Sequence, residues 1–113
     1  MTVQDIISAL SLQVASSPDH LDREITGGYA SDLLSCVMAG AQAGNAWVTL
    51  QCHVNVVAVA ALLDLACVIL TEGVRPDEAT LTRANEEGIP TLLSHESTFT
   101  VVGRLVRLGV AGS

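Results

Sequence analysis

The chain has 113 residues, half of them hydrophobic and 15% charged, and twelve acids against five bases leave a net charge of −7. That length suits one ordinary domain spanning 1–113, and the apolar share excludes a disordered chain. The charge balance excludes nucleic-acid and anionic-membrane partners, which need a cationic footprint, and because every base is arginine there is no lysine for Schiff-base or P-loop chemistry.

In chain order, Thr2 caps a short helix over Val3 to Leu10, and Leu12 to Ala15 reads as a strand. Ser16 to Leu21 is a polar turn, Arg23 to Ile25 a further short strand, and Ser31 caps a helix to about Met38. From Trp47 the pattern is more regular. Trp47 to Leu50 predicts a strand, and Asn55 caps a helix to about Ala66 that is apolar nearly all round and is therefore expected to be buried on most sides. Asp64 falls inside that helix, either as a buried acid with a partner or, the preferred reading, as a polar position at a subunit contact. Cys67 to Leu70 is the next strand. Pro76 and Asp77 open a helix that Gly88 closes, and Ile89 to Leu93 is a third strand. Ser97 or Thr98 starts a last helix, with Phe99, Val102 and Val106 on its apolar face and Gly109 at its end. Strands alternating with helices through short links predict an α/β fold with a small, mainly parallel sheet and βαβ crossovers.

The N-terminus carries Asp5 and no basic run, which argues against a signal peptide. The most apolar stretch, Val54 to Leu70, is interrupted by Asn55 and Asp64 and falls short of the roughly 20 residues of a membrane span. Cys36, Cys52 and Cys67 are an odd count without a CxxC pair, as in reduced thiols of a cytoplasmic protein.

Parallel sheets bind ligands beyond the carboxyl ends of their strands. Thr49 near the end of the first parallel strand belongs to this candidate site, and the loops carry Gln51, His53 and Asn55 after that strand, Thr71, Glu72 and Gly73 after the second, and Ser94, His95 and Glu96 after the third. Helix N-termini near Asn55, Asp77 and Ser97 would add donors for an anion, with Arg23 or Arg75 as its countercharge. Polar loops also follow strands in any α/β domain, so the cluster alone does not establish a ligand. A second candidate is Thr26-Gly27-Gly28-Tyr29, either an anion-binding nest with Tyr29 as a lid or a tight turn needing positive φ. His53, Glu72, His95 and Glu96, with Cys52 nearby, could approach a metal, but no pair has ligand spacing, and neither a metal nor another cofactor is expected. There is no GxSxG elbow, and Cys52 and His53 are neighbours on an extended segment that points them apart, so no catalytic residue is assigned.

The stretches Asp22-Arg23-Glu24-Ile25-Thr26-Gly27-Gly28-Tyr29-Ala30-Ser31-Asp32-Leu33-Leu34-Ser35 and Trp47-Val48-Thr49-Leu50-Gln51-Cys52-His53-Val54-Asn55-Val56-Val57-Ala58-Val59-Ala60 resemble the DRTGG-domain proteins. Ile69-Leu70-Thr71-Glu72-Gly73 and Gly88-Ile89-Pro90-Thr91 continue the likeness, which runs from about Leu12 to Leu108. The sequence departs from the pattern where Glu24 and Ile25 separate Asp-Arg from Thr-Gly-Gly, and at Glu72, where many relatives have glycine. The resemblance implies a fold like the N-terminal domain of HPr kinase/phosphorylase, without the P-loop half and so without kinase activity. Such domains also stand beside CBS domains in nucleotide-regulated pyrophosphatases and before phosphate acetyltransferase, where they support dimerisation. The expectation is a non-catalytic regulatory module that dimerises and binds a small anion such as a nucleotide. The alternatives are an interaction subunit with a protein partner and no small ligand, or a small metal-dependent enzyme.

Overall fold

The computed structural model describes residues 1–112. Helix α1 (Val3–Leu10) begins with a capping box: Thr2 Oγ1 accepts from the Asp5 amide while the Asp5 carboxylate accepts from the Thr2 amide. Strand β1 (Gln13–Ser16) follows, then one turn of 3₁₀ helix (Pro18–His20), strand β2 (Gly27–Ala30), helix α2 (Leu34–Gly40) and strand β3 (Asn45–Thr49). Helix α3 (Val54–Leu62), strand β4 (Cys67–Leu70), helix α4 (Glu78–Glu87), strand β5 (Thr91–Leu93) and helix α5 (Thr98–Arg107) complete the fold.

The strands form one sheet in the order β1-β5-β4-β3-β2, parallel except that β1 runs antiparallel to β5. Every residue of β3 and β4 is buried, as continuous apolar strands covered on both faces must be. Alternation divides their side chains between two cores. Ala46, Val48, Cys67, Ile69 and Leu92 meet α1 and α5 on one face, while Trp47, Val68 and Leu70 meet α2, α3 and α4 on the other. The antiparallel edge is pinned by Ser16, whose Oγ donates to Ile89 O at 2.8 Å and accepts from the Thr91 amide at 2.9 Å. The Cys67 thiol is fully buried, and loss of solvent pushes its pKa up to about 12.

Several elements differ from expectation. The residues Arg23 to Ile25 form no strand. They lie along the start of the chain, with Val3 N donating to Arg23 O and Ile25 N to Met1 O. The strand comes next, at Gly27–Ala30, and neither Gly27 nor Gly28 has positive φ, so the Thr26-Gly27-Gly28-Tyr29 segment is an edge strand and not a turn. Helix α2 starts at Leu34, after an extended Leu33, and the preceding Asp32 carboxylate is held by Thr49 Oγ1 and the Leu50 amide. His53, not Asn55, caps α3: its Nδ1 accepts from the Asn55 amide. That helix ends at Leu62, since Asp64 turns into the left-handed region at φ 57, and it leaves Asn55, Ala58 and Leu62 exposed. Asp64 is therefore an exposed loop residue gripped by Arg23, not a helical residue. In α5 the core side is Val101 and Leu105, while Phe99 and Val106 face outward.

Two predictions follow from these contacts. Thr91 Oγ1 is buried and has no hydrogen-bond partner among the described residues. Thr91→Val should raise stability by about 1 kcal/mol, some 4 °C in thermal unfolding followed by circular dichroism; a lower melting temperature would show that the hydroxyl is used. Asp5 is held below the usual carboxylate range mainly by the Thr2 amide, Asp64 mainly by the Arg23 guanidinium, and Asp77 mainly by the Thr80 hydroxyl. Lowered folded pKa values stabilise the charged forms, so this contribution is complete above the unfolded carboxylate pKa of about 3.9 and is lost as pH falls through the folded values. Urea midpoints should accordingly hold from neutral pH down to about pH 4 and decline below it.

Candidate functional site

The helices after β2, β3 and β4 all pack on one face of the sheet, and the helix after β5 packs on the other. The loops leaving β4 and β5 therefore diverge, and a crevice opens beyond the carboxyl ends of these two strands, where such a divergence places ligand sites in open α/β sheets. Here it is a cleft of about 330 Å³. Its walls are Gly73, Val74 and Arg75 from the first loop and Ser94, His95 and Glu96 from the second. Arg104 of α5 and Leu10, Ser11 and Gln13 at the α1–β1 junction close it.

The loops are tied together at their base. Gly73 N donates to Ser94 O at 3.0 Å and Glu72 N to Glu96 O at 2.8 Å, while Ser94 Oγ accepts from the Glu96 amide. Glu72 sits in the left-handed region at φ 61, followed by Gly73 at φ 74, and Val74 N closes the turn on Thr71 O. The strained Glu72 is fixed by its carboxylate, which accepts from the Thr98 amide at the N-terminus of α5 at 2.9 Å. A Cβ on Gly73 would lie 3.4 Å from His95 Nδ1, so the imidazole lies directly against this turn. Arg104 bridges to Glu96 and donates to Ala9 O at 3.1 Å, joining α5 to α1. Arg75 is exposed and has no ion-pair partner among the described residues. The cleft thus collects two of the five bases of an acidic chain, together with a histidine, against one acid.

Of the residues singled out in the sequence, Ser94 and His95 line this cleft, and Thr71 lies beneath it with its hydroxyl 2.6 Å from that of Thr98. Gln51, His53 and Asn55 line a separate, shallow depression with Asp32 and Ser35 over β2 and β3. Thr49 is buried under it, donating to Asp32 and accepting from the Gln51 amide. His53 and His95 thus line different clefts. Glu72 and Glu96 are engaged by α5, and among the described residues no group of three His, Cys, Asp or Glu side chains could hold a metal. The helix N-termini are likewise occupied by their own caps, His53, Asp77 and Ser97. Arg23 is not a free countercharge, because it grips Asp64 and donates to Asp64 O at 2.8 Å. Arg104, Gln13 and Ser11 carried no sequence signal, since only the packing of α5 on α1 and the pairing of β1 with β5 bring them here.

Thr26, Gly27, Gly28 and Tyr29 lie elsewhere. Thr26 Oγ1 donates to Ala43 O at the amino end of the sheet and accepts from the Asn45 amide group. Gly28 N donates to Ala111 O, and Tyr29 OH donates to Cys36 O, strapping β2 to α2. These are structural staples. The Asp-Arg…Thr-Gly-Gly stretch therefore fastens the end of the sheet opposite the cleft.

The DRTGG-domain family model matches residues 25–108, three-quarters of the chain. The chain belongs to the DRTGG-domain family. This DRTGG domain is also similar to a solved structure, that of the CBS and DRTGG domains of the regulatory region of Clostridium perfringens pyrophosphatase complexed with its activator, diadenosine tetraphosphate. The TM-score is 0.78 at 14% identity, over 93% of this chain and 46% of that one, so the likeness is one of fold and this chain spans under half of that protein's length. No curated protein matches the chain in sequence. Among the described residues no helix is long and apolar enough to cross a membrane.

Because His53 caps α3, it has a structural duty whatever the depression binds. His53→Ala should cost about 1 kcal/mol in chemical denaturation, and His53→Ser should recover most of it. Equal stability of the Ala variant and the parent would show that the cap is idle.

Proposed function

We propose that this DRTGG domain, residues 1–113, is a non-catalytic regulatory module that binds a small phosphate-bearing anion, such as a nucleotide, between the β4 and β5 loops, and that it acts as a dimer. The observation that carries this reading is Arg75, without an ion-pair partner among the described residues, together with His95 in the crevice where the chain changes face, with Arg104 held by Glu96 in its wall, on a protein whose net charge is −7. Leu10, Val74 and Leu93 supply apolar wall for the uncharged part of the ligand. The volume is near the lower end of the usual range for small-molecule sites, about 300–1,000 Å³, which suits a mononucleotide better than a dinucleotide. The activator bound by the pyrophosphatase regulatory region is itself a phosphate-bridged nucleotide, which supports the ligand class. The non-catalytic reading is supported by Ser94, whose hydroxyl accepts from a loop amide and has no base beside it in the hydrogen-bond pattern. Three free thiols fit a reducing, cytoplasmic setting.

A second reading, an interaction subunit with no small ligand, is favoured by the outward apolar face of α5. Thermal unfolding with a panel of mononucleotides, acyl phosphates and inorganic phosphate separates the two. A ligand at a hundred times its dissociation constant should add about 2.7 kcal/mol of stability. Arg75→Ala combined with His95→Ala should remove that gain without lowering the ligand-free melting temperature, both side chains being exposed. A gain that survives the double variant would move the site elsewhere. No gain with any compound would favour the interaction subunit.

A further inference from the structure

The two-helix layer of α1 and α5 leaves an apolar trough of about 100 Å³ beside α5. Gly28, Ala30 and Val48 from β2 and β3 line it, together with Val102, Val106 and Val110. On the same helix Phe99 is 88% exposed and Val106 61% exposed, while Val101 and Leu105 hold the core. At 100° per residue, Phe99, Gly103 and Val106 share the outer side of α5, with Arg107 at its margin. A Cβ added to Gly103 would meet nothing within 4 Å, so this chain's own packing does not require glycine there. Glycine in a helix interior costs about 0.5–1 kcal/mol relative to alanine.

We infer that the occupant of the trough is Phe99 of a second copy of this chain, in a two-fold dimer whose α5 helices pack antiparallel and cross at Gly103. This rests on the dimeric part of the reading above. A two-fold interface must carry a feature and its complement on one patch, and this flank of α5 carries both an exposed aromatic knob and an apolar hole. Residues 99 and 107 are each four positions from Gly103, so an antiparallel crossing sets Phe99 of one copy opposite residue 107 of the other. The ring then enters the trough near Val106 and Val110. Arg107, which has no ion-pair partner among the described residues, comes over its face as a cation on an aromatic ring. Helix α5 carries no acid, so the contact brings none of its side chains into carboxylate repulsion on a chain that is otherwise strongly acidic. Glycine at the crossing lets the two backbones approach closely, which accounts for a residue that the isolated fold leaves unexplained.

Sedimentation equilibrium of the ligand-free protein tests this independently of any anion. The parent should be a dimer at micromolar concentration. Phe99→Ala removes the knob and Ala30→Phe fills the hole, and each should weaken association by about tenfold or more. An equimolar mixture of the two variants should dimerise again, because the one intact knob meets the one open hole and the missing knob faces the filled one. In a Cys36→Ser background, Gly103→Cys should give an intermolecular disulfide on oxidation, since the two positions meet at the two-fold axis. A monomeric parent would overturn both this inference and the dimeric part of the proposed function. A parent dimer that both variants leave unchanged would overturn the α5 surface alone. A mixture that stays monomeric, or a Gly103→Cys protein that forms no cross-link, would overturn the knob-in-hole pairing.

Discussion

Strands β3 and β4 are buried along their whole length, so both faces of the sheet must be covered, and the rest of the architecture answers that requirement. The crossovers from β2 to β5 step in one direction across the sheet and lay α2, α3 and α4 on a single face. The opposite face would stand open unless the chain changed sides, which it does once, after β5, with α1 returning from the N-terminus to share the work. The crevice between the β4 and β5 loops is a by-product of that single change of side. So is the trough: two helices span less of a five-stranded sheet than three, and the uncovered strip falls at β2.

The staples of the fold and the candidate cleft thereby lie at opposite ends of the strands. At the amino end, Arg23 grips Asp64, Thr26 bonds Ala43 and Asn45, and Gly44 turns tightly against the Thr26 side chain, where a Cβ would come within 2.6 Å. At the carboxyl end Arg75 and His95 are exposed in the cleft wall.

Much of this fold is legible in the sequence because local chemistry and tertiary packing agree. Thr2, Asp77, Ser97 and Gly88 mark helix ends with the side chains or backbone freedom those ends require, and the β-branched run Cys67 to Leu70 can hardly be other than a buried strand. The reading weakens where a distant partner decides. Asp64 lies within an apolar run that predicts helix, yet Arg23, far back in the chain, holds it in a left-handed turn. Gly27 and Gly28 look like a turn and become a strand because they pair in parallel with Asn45 and Ala46 of β3. In α5 the apolar residues spread over an arc of nearly half the circumference, so periodicity does not say which of them meets the sheet. The cleft was half visible: its loops follow from strand ends, but Arg104 and Gln13 reach it only through tertiary packing.

Cys67 lies at the centre of the sheet with no solvent access, and its thiol holds its proton far above neutral pH. Cys36 stands exposed on α2. One molecule therefore carries an internal clock and its reference: an alkylating reagent modifies the outer sulfur at the rate of the chemistry, and the inner one only when the sheet itself comes apart. The ratio of the two rates is a running measure of how often the native state opens completely.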